Sequence, residues 1–454
     1  MDRRSFVSLL TAGTAGQALV SRQARAQTAT RRRIVVVGGG MAGTTCAKFL
    51  SLWGARTGMA LDITLINRDA AYATCIMSNG VLTGERGFDE QVFSYDRLAA
   101  RPGVRVLAGA VTEIDPLARR LRLDSGLVLP WDRLVLAPGV EFDYSAVIIN
   151  GRGLSRDAAR DEVPHAWKAG PQTQALRAQL VGMRAGRDVV VTVPRSPYRC
   201  PPGPYERACV IADWLARNKP GSRVVVLDAN PGIAAERVNF GRAFTEIHHN
   251  IDYYPNAEIA AIRFAATDLQ RKVVRLAAPV TRIDPVSGAA LGSAVSSVRA
   301  AVVNYIPPHH AGELARAVFG TVAGGLAAGR WIEVDELSYE TAIPGIHAVG
   351  DAIASKQPKA GHIGNQQAKV CADAILRLEA GLAPYPAPVT NSACYTPITR
   401  TTASWLTAVF AYNAAAGEMQ VAPPGVVESA DGATVESFEG MQHWFAALMD
   451  DTFG

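Results

Sequence analysis

The chain has 454 residues, 48% of them hydrophobic and 19% charged, with a formal net charge of +5. This is too long for one comfortable core and too apolar for a disordered or fibrous chain, so two or three globular α/β domains are expected at ~150 residues each. Four arginines against one aspartate in residues 1–26 carry +3 of that charge, and the remaining, nearly neutral chain has no electrostatic footprint for nucleic acid.

The first segment predicts a signal. Arg3-Arg4-Ser5-Phe6-Val7 opens a weakly apolar stretch through Val20, and Ala24-Arg25-Ala26 supplies a small-x-small cleavage site. The three regions in this order predict a twin-arginine signal peptide over residues 1–26, export to the periplasm, and a compartment that permits disulfides. No later run reaches the ~18 apolar residues of a membrane span, so a protein that is not membrane-embedded is expected.

Next, Ile34-Val35-Val36-Val37 reads as a buried strand, followed by Gly38-Gly39-Gly40-Met41-Ala42-Gly43 and a helical pattern. The spacing Gly38-x-Gly40-x-x-Gly43 permits a tight turn, close approach of backbone to a pyrophosphate, and close helix–strand packing. The helix N-terminus then faces the anion with free N–H groups. A second strand follows over Asp62–Asn67, so the motif sits in a βαβ unit, and a dinucleotide is expected against Gly38, Gly40, Met41, Ala42 and Gly43. Where such units place an acidic residue for the ribose, this chain has Asn67 followed by Arg68. Asn67 can bond a hydroxyl without the assistance of charge.

Further strands are predicted at Val104–Leu107, Leu121–Leu123 and Leu134–Leu136, the last ending in Ala137-Pro138-Gly139. A second α/β block starts near Pro164, with strands over Asp188–Val193 and Arg223–Asp228 around a helix over Tyr205–Asn218. It continues through strands at Val273–Leu276 and Val298–Ile306. After Pro307-Pro308 the chain is expected to return to the first domain through Gly345–Asp351, with a helix from about Gly364 to Glu379. The Pro-rich segment Leu382–Pro388 precedes a C-terminal block rich in Trp, Tyr and Phe.

The fold class expected is α/β with two Rossmann-like dinucleotide-binding domains, glutathione reductase-like, plus a small C-terminal α+β domain. The divisions are residues 33–163 with 307–384, residues 164–306, and residues 385–454. Trp131–Gly139 resembles the short strand-plus-glycine motif of two-domain flavin disulfide reductases and Gly345–Asp351 their second FAD motif, which makes the cofactor FAD and gives Asp351 to the ribityl chain. The second block lacks a nicotinamide fingerprint: its turn reads Arg195-Ser196-Pro197-Tyr198-Arg199-Cys200-Pro201-Pro202-Gly203-Pro204. Five prolines including Pro194 leave no glycine cradle, so NAD(P) is not expected.

Several segments carry a closer resemblance: Val36–Thr44, Ala73-Thr74-Cys75-Ile76-Met77-Ser78-Asn79, Tyr198–Ala208, Pro344–Ala352, Pro358–Lys369 and Asp451–Gly454. Through them the chain resembles the flavoprotein subunit of flavocytochrome c sulfide dehydrogenase. That resemblance implies a covalent flavin bond at Cys75, one half of a redox-active disulfide at Cys200, and a proton acceptor at Glu206. It also implies flavin contacts that include Val111, Ala137, Pro138, Gly139, Gly350, Asp351, Lys359 and Gly361. The partner cysteine falls, by the same resemblance, in a Trp-Cys-x-Val-Asp segment, which here reads Trp331-Ile332-Glu333-Val334-Asp335. Ile332 cannot form a disulfide, leaving Cys200 as a lone nucleophile, a persulfide carrier or a relic. Cys46 and Cys371 lie on helical patterns and read as core. Cys209 is badly placed to bridge, and Cys394-Tyr395 matches a family segment to which no chemistry is assigned.

No Cys-x-x-Cys-His occurs, so no haem is expected in this chain, and the resemblance implies a separate c-type cytochrome partner. Trp405, Phe410, Tyr412, Trp444 and Phe453 read equally well as its docking surface or as a small core. The adjacent pairs His248-His249 and His309-His310 point apart and read as packing or surface rather than metal ligands. The function expected is oxidation of sulfide or a related sulfur compound with electron transfer to cytochrome c. Two alternatives stay open because of Ile332: a flavin dehydrogenase with another donor, and a non-catalytic electron-transfer subunit.

Overall fold

The computed structural model describes residues 31–150, 155–264 and 272–454; the predicted signal peptide lies outside the described residues. The elements that position the site are β1 (Arg32–Val37), α1 (Met41–Thr57), β2 (Leu61–Asn67), β3 (Val104–Ala108), β4 (Arg133–Leu136) and β5 (Val189–Val193). They continue with α2 (Gly203–Asn218), β6 (Val224–Asp228), β7 (Ile251–Tyr254), β8 (Val302–Asn304), β9 (Ile346–Ala348) and α3 (Gly361–Glu379). The last are β10 (Val389–Pro397), β11 (Ala403–Asn413), β12 (Glu418–Val421) and α4 (Val435–Phe453).

The first sheet has the order β9-β4-β1-β2-β3 and is parallel throughout. Its strands are near-continuous apolar runs, as expected for strands covered on both faces. Ile34, Val36, Leu65, Leu134, Val135 and Ile346 are fully buried in one core with residues of α1 and α3 and with Leu121 and Leu123 of a small antiparallel sheet. Strand β9 lies far along the chain yet pairs with β4, so the polypeptide leaves this sheet and later closes it.

The intervening segment builds a second parallel sheet, β7-β6-β5-β8, with α2 packed on it. A mixed sheet of Ile148–Asn150, Ile259–Phe264, Lys272–Val280 and Val295–Ala300 covers its flank. The single strand predicted over Val298–Ile306 is therefore two. Residues up to Ala300 belong to the mixed sheet, and Ala301 donates to the Asp188 carbonyl as the chain crosses into β8. The apolar run is continuous across that crossing, so periodicity could not mark it.

The C-terminal strands β10-β11-β12 form an antiparallel sheet against α3, and α4 returns to the first domain. Thr434 caps α4, its Oγ1 accepting from the Ser437 N–H at 3.0 Å. Phe453 stacks on Tyr72 and Phe93, both at 5.3 Å between ring centroids. Phe410 and Phe453 are thus core, which removes them from the predicted docking surface; Trp405, Tyr412 and Trp444 stay partly exposed. Among the described residues no helix is long and apolar enough to cross a membrane.

Candidate functional site

A cavity of about 600 Å³ opens where the two parallel sheets and the C-terminal sheet meet. That size lies within the ~300–1,000 Å³ of small-molecule and cofactor sites. Cys200, Glu206 and every predicted cofactor residue except Gly43 and Lys359 line it.

The glycine turn builds one wall. Gly38 has φ +104°, and a Cβ there would stand 2.1 Å from the Ala137 carbonyl oxygen. A Cβ on Gly43 would meet the Gly38 oxygen at 1.8 Å, so Gly43 serves the helix–strand contact behind the wall. Gly40 precedes α1 without a side-chain cap, and the first turn of the helix holds no acidic residue. The opening N–H groups of α1 are thus left to an anion, and the positive end of its dipole faces the cavity. Asn67 Oδ1 accepts from the Gly39 N–H at 2.9 Å and its Nδ2 donates to the Asp69 carbonyl at 2.8 Å. Its side chain braces the turn, which leaves Asp69, exposed at the rim, as the nearby carboxylate.

These residues fit a dinucleotide: a phosphate cradle that a Cβ would fill, a helix end without a cap, and Asp351 on the wall. Asp351 is raised by burial against the opposing charges of Arg199 and Lys359. Lys359 does not line the cavity. Its Nζ donates to the Ile353 carbonyl at 2.6 Å and sits 3.7 Å from the Trp331 ring centroid, and burial lowers it to about 8.

Cys75 lies on the same wall. Its Sγ accepts from the Ala169 N–H at 3.2 Å and faces an Arg199 guanidinium nitrogen at 3.5 Å. The Trp167 carbonyl, 3.5 Å from the same sulfur, completes its polar surroundings.

Glu206, in the first turn of α2, is buried, and burial pushes its carboxyl up to about 8. The hydrogen bond from Asn79 Nδ2, at 2.6 Å, and the charge of Arg207 oppose this without overcoming it. Asn79 in turn accepts from Arg207 Nε at 2.8 Å. Arg207 spends its other donors on Asn304 and on the carbonyls of His165 and Ala166, so its buried fork is satisfied. Glu206 therefore holds a proton at neutral pH and is poised to give one before it accepts one.

Cys200 is held unusually. Its φ is +58°, in the left-handed region, which costs a non-glycine residue roughly 1–3 kcal/mol. Its N–H donates to the Lys359 carbonyl at 2.6 Å, and the bare Gly203 clears its sulfur: a Cβ there would stand 2.8 Å from Sγ. Burial raises the Cys200 thiol, with the neighbouring Cys394 and Glu206 adding to it and Arg199 opposing. Cys394, on β10, lines the same cavity, and burial beside Glu236 and Glu206 pushes it up to about 12. Sequence reasoning gave Cys394 no role, because 194 positions of chain hide its approach to Cys200. Ile332 is fully buried, paired with Leu326 and bridged to Ile353, and does not line the cavity. Cys46, Cys209 and Cys371 are buried core.

The second parallel sheet has a different use for its nucleotide positions. Asp228, at the end of β6, accepts from the hydroxyls of Tyr205 and Tyr253 at 2.7 and 2.8 Å and from the Asn230 N–H at 2.8 Å. The carboxylate that would take a ribose is consumed internally. The turn before α2 carries Pro201 and Pro202, and α2 itself opens with Pro204; none of the three has an N–H to offer a phosphate.

Two parallel sheets, one of them ending in a glycine cradle, make the architecture of the two-dinucleotide-domain flavoproteins. Residues 32–191 match the pyridine nucleotide-disulphide oxidoreductase family. Within that class, residues 173–307 match the central region of the sulfide dehydrogenase (flavocytochrome c) flavoprotein chain, which is the family the sequence resembles. Among solved structures, the sulfide:quinone oxidoreductase of Aquifex aeolicus superposes with a TM-score of 0.64 at 16% identity, covering 92% of each chain. A ferredoxin reductase of the CYP199A2 system from Rhodopseudomonas palustris follows at 0.56, with 17% identity over 85% of this chain and 89% of that one. The putidaredoxin reductase–putidaredoxin complex gives 0.56 and 18%, covering 90% and 92%. At these identities the likeness shows the shared fold.

Proposed function

We propose that the chain is a periplasmic FAD-dependent oxidoreductase that draws electrons from sulfide or a related sulfur compound and passes them to a separate c-type cytochrome. The observation that carries this reading is the turn before α2. Where a nicotinamide domain would cradle a pyrophosphate, it presents Cys200 to the cavity of the glycine cradle, with Glu206 beside it. The central family match and the sequence of the signal segment support the sulfur chemistry and the compartment respectively.

In this reading Gly38, Gly40 and the α1 N-terminus hold the pyrophosphate of FAD, Asp351 the ribityl chain, and Cys75 tethers the ring. When bound, the flavin supplies a two-electron acceptor. Cys200, in an oxidised disulfide state, would take the sulfur atom of the donor as its own S–S bond breaks and the former partner sulfur leaves, as in thiol–disulfide exchange. Glu206 supplies a proton to the sulfur that leaves and later takes one back. Asn79 and Arg207 fix the carboxyl in place, and the proline turn with the engaged Asp228 keeps NAD(P) out.

Ile332 favours a second reading, in which the same flavin scaffold accepts a donor other than sulfide. Anaerobic mixing of the purified flavoprotein with sulfide, thiosulfate and organic persulfides, followed at the flavin absorbance, separates the two. Bleaching by a sulfur donor, and its reversal by oxidised cytochrome c, is expected. A flavin indifferent to all of them sinks the sulfur assignment.

A further inference from the structure

We propose that Cys200 and Cys394 are the redox pair of this chain, with Cys394 supplying the second sulfur that Ile332 does not. The inference rests on the sulfur-oxidising reading above and deepens it.

Three observations on geometry meet here. Both cysteines line one cavity although they come from different domains, the turn before α2 and strand β10. Cys200 stands on a left-handed backbone, and Gly203 leaves the space its sulfur needs. Strand β10 is also tied to the second domain: Thr396, one strand repeat beyond Cys394, donates to the buried Glu236 carboxylate at 2.8 Å. Glu206 lines the same cavity as both sulfurs. Among the described cysteines, Cys46 and Cys371 face each other in the first core and Cys209 is sealed in α2. Cys75, the remaining one, is held by Ala169 and Arg199.

The chemistry balances within this set. Oxidation joins the two thiols by an S–S bond, releasing two protons and passing two electrons to an acceptor of the isoalloxazine class. Hydrosulfide then attacks the Cys200 sulfur: a new S–S bond forms as a Cys200 persulfide, the Cys200–Cys394 bond breaks, and Cys394 leaves with the proton of Glu206. The charge brought by hydrosulfide ends on the Glu206 carboxylate. Because burial disfavours both thiolates, the proton delivered to Cys394 is what lets the bridge open.

The test is thiol mapping of the full flavin-containing chain, oxidised with diamide, then denatured in alkylating agent and digested. The expected product is a peptide pair containing Cys200 and Cys394, lighter by two hydrogens than the separate peptides and split by reductant. Cys394→Ser should free Cys200 for alkylation, with flavin content and the melting temperature of the reduced protein unchanged. Finding both thiols alkylated, or Cys200 joined to another cysteine, overturns the pairing. If sulfide bleaches the flavin while no Cys200–Cys394 link forms, the pairing fails and the sulfur function stands. If the link forms and no sulfur donor bleaches the flavin, the function fails and the pairing stands.

Discussion

The sharpest prediction concerns two neighbouring glycines that the structure uses differently. At Gly38 an alanine must adopt φ +104° and place its Cβ 2.1 Å from the Ala137 oxygen and 2.7 Å from its carbonyl carbon. Carbon contacts are comfortable at ~3.5–4.0 Å, and both obstructing atoms are backbone at the end of β4, so they cannot swing aside. Backbone strain of roughly 1–3 kcal/mol and a similar overpacking term put the loss at ~3 kcal/mol or more. At ~2–4 °C per kcal/mol for a domain of this size, melting should fall by roughly 6–12 °C. At Gly40 the nearest atom to a new Cβ is Tyr72 Cε2 at 3.6 Å, an ordinary contact, and φ is not positive. Gly40→Ala should therefore fold almost normally but lose flavin, because its methyl group enters the phosphate cradle. The assay is thermal unfolding by circular dichroism together with flavin content after denaturation. Both are run in a Cys75→Ser background, with melting measured on flavin-free protein so that bound flavin adds no stability of its own. A Gly38→Ala protein melting within a degree or two of its parent, or a Gly40→Ala protein with full flavin, would refute the cradle.

Three more predictions follow from the catalytic wall. Glu206 goes from 4.5 in an unfolded chain to about 8 in the folded one, so the folded state binds the extra proton and loses stability as pH rises through that window. The full difference is at most ~5 kcal/mol. Glu206→Gln should flatten most of that slope in urea titrations between pH 5 and 8, leaving the part due to Glu236, raised by burial to about 7; an unchanged slope counts against a buried, protonated Glu206. Asn79→Ala removes a donor from Glu206 and strands Arg207 Nε. It should cost ~1–3 kcal/mol and move the alkaline limb of flavin reduction to higher pH, and a pH profile that stays put would make Asn79 merely structural. Finally, the denatured mass of the mature protein should include one flavin and that of Cys75→Ser should not; a parent mass without flavin removes the tether.

The legible parts of the fold were those written locally. The run Ile34–Val37, the spaced glycines and the apolar stretches of β2, β4, β5 and β6 announce parallel strands because both faces of each are covered. The glycine at 43 is dictated by a contact with the Gly38 carbonyl only one turn away. Helix α4 was less legible, although Thr434 three residues before Ser437 gives it an N-cap signal, because its aromatic face reads equally as core or as docking surface. The start of α3 at Gly361 was missed by three residues, since a glycine opening a helix carries little helix preference of its own.

By itself, then, the sequence determined a cofactor of the dinucleotide class, a second domain without a nucleotide cradle, and the chemistry available at Cys75, Cys200 and Glu206. The first two follow from local geometry and from residue types, and the chemistry at the three side chains from the resemblance to a family. Tertiary structure alone decided which strand closes the first sheet, that Asn67 braces the turn, that Asp228 is consumed by two tyrosines, and that Glu206 is buried beside Asn79 and Arg207. It also brought Cys394 to the wall that Cys200 occupies. The physical reason is common to all of these: each depends on groups that packing brings together from distant parts of the chain, and neither spacing nor periodicity carries that information.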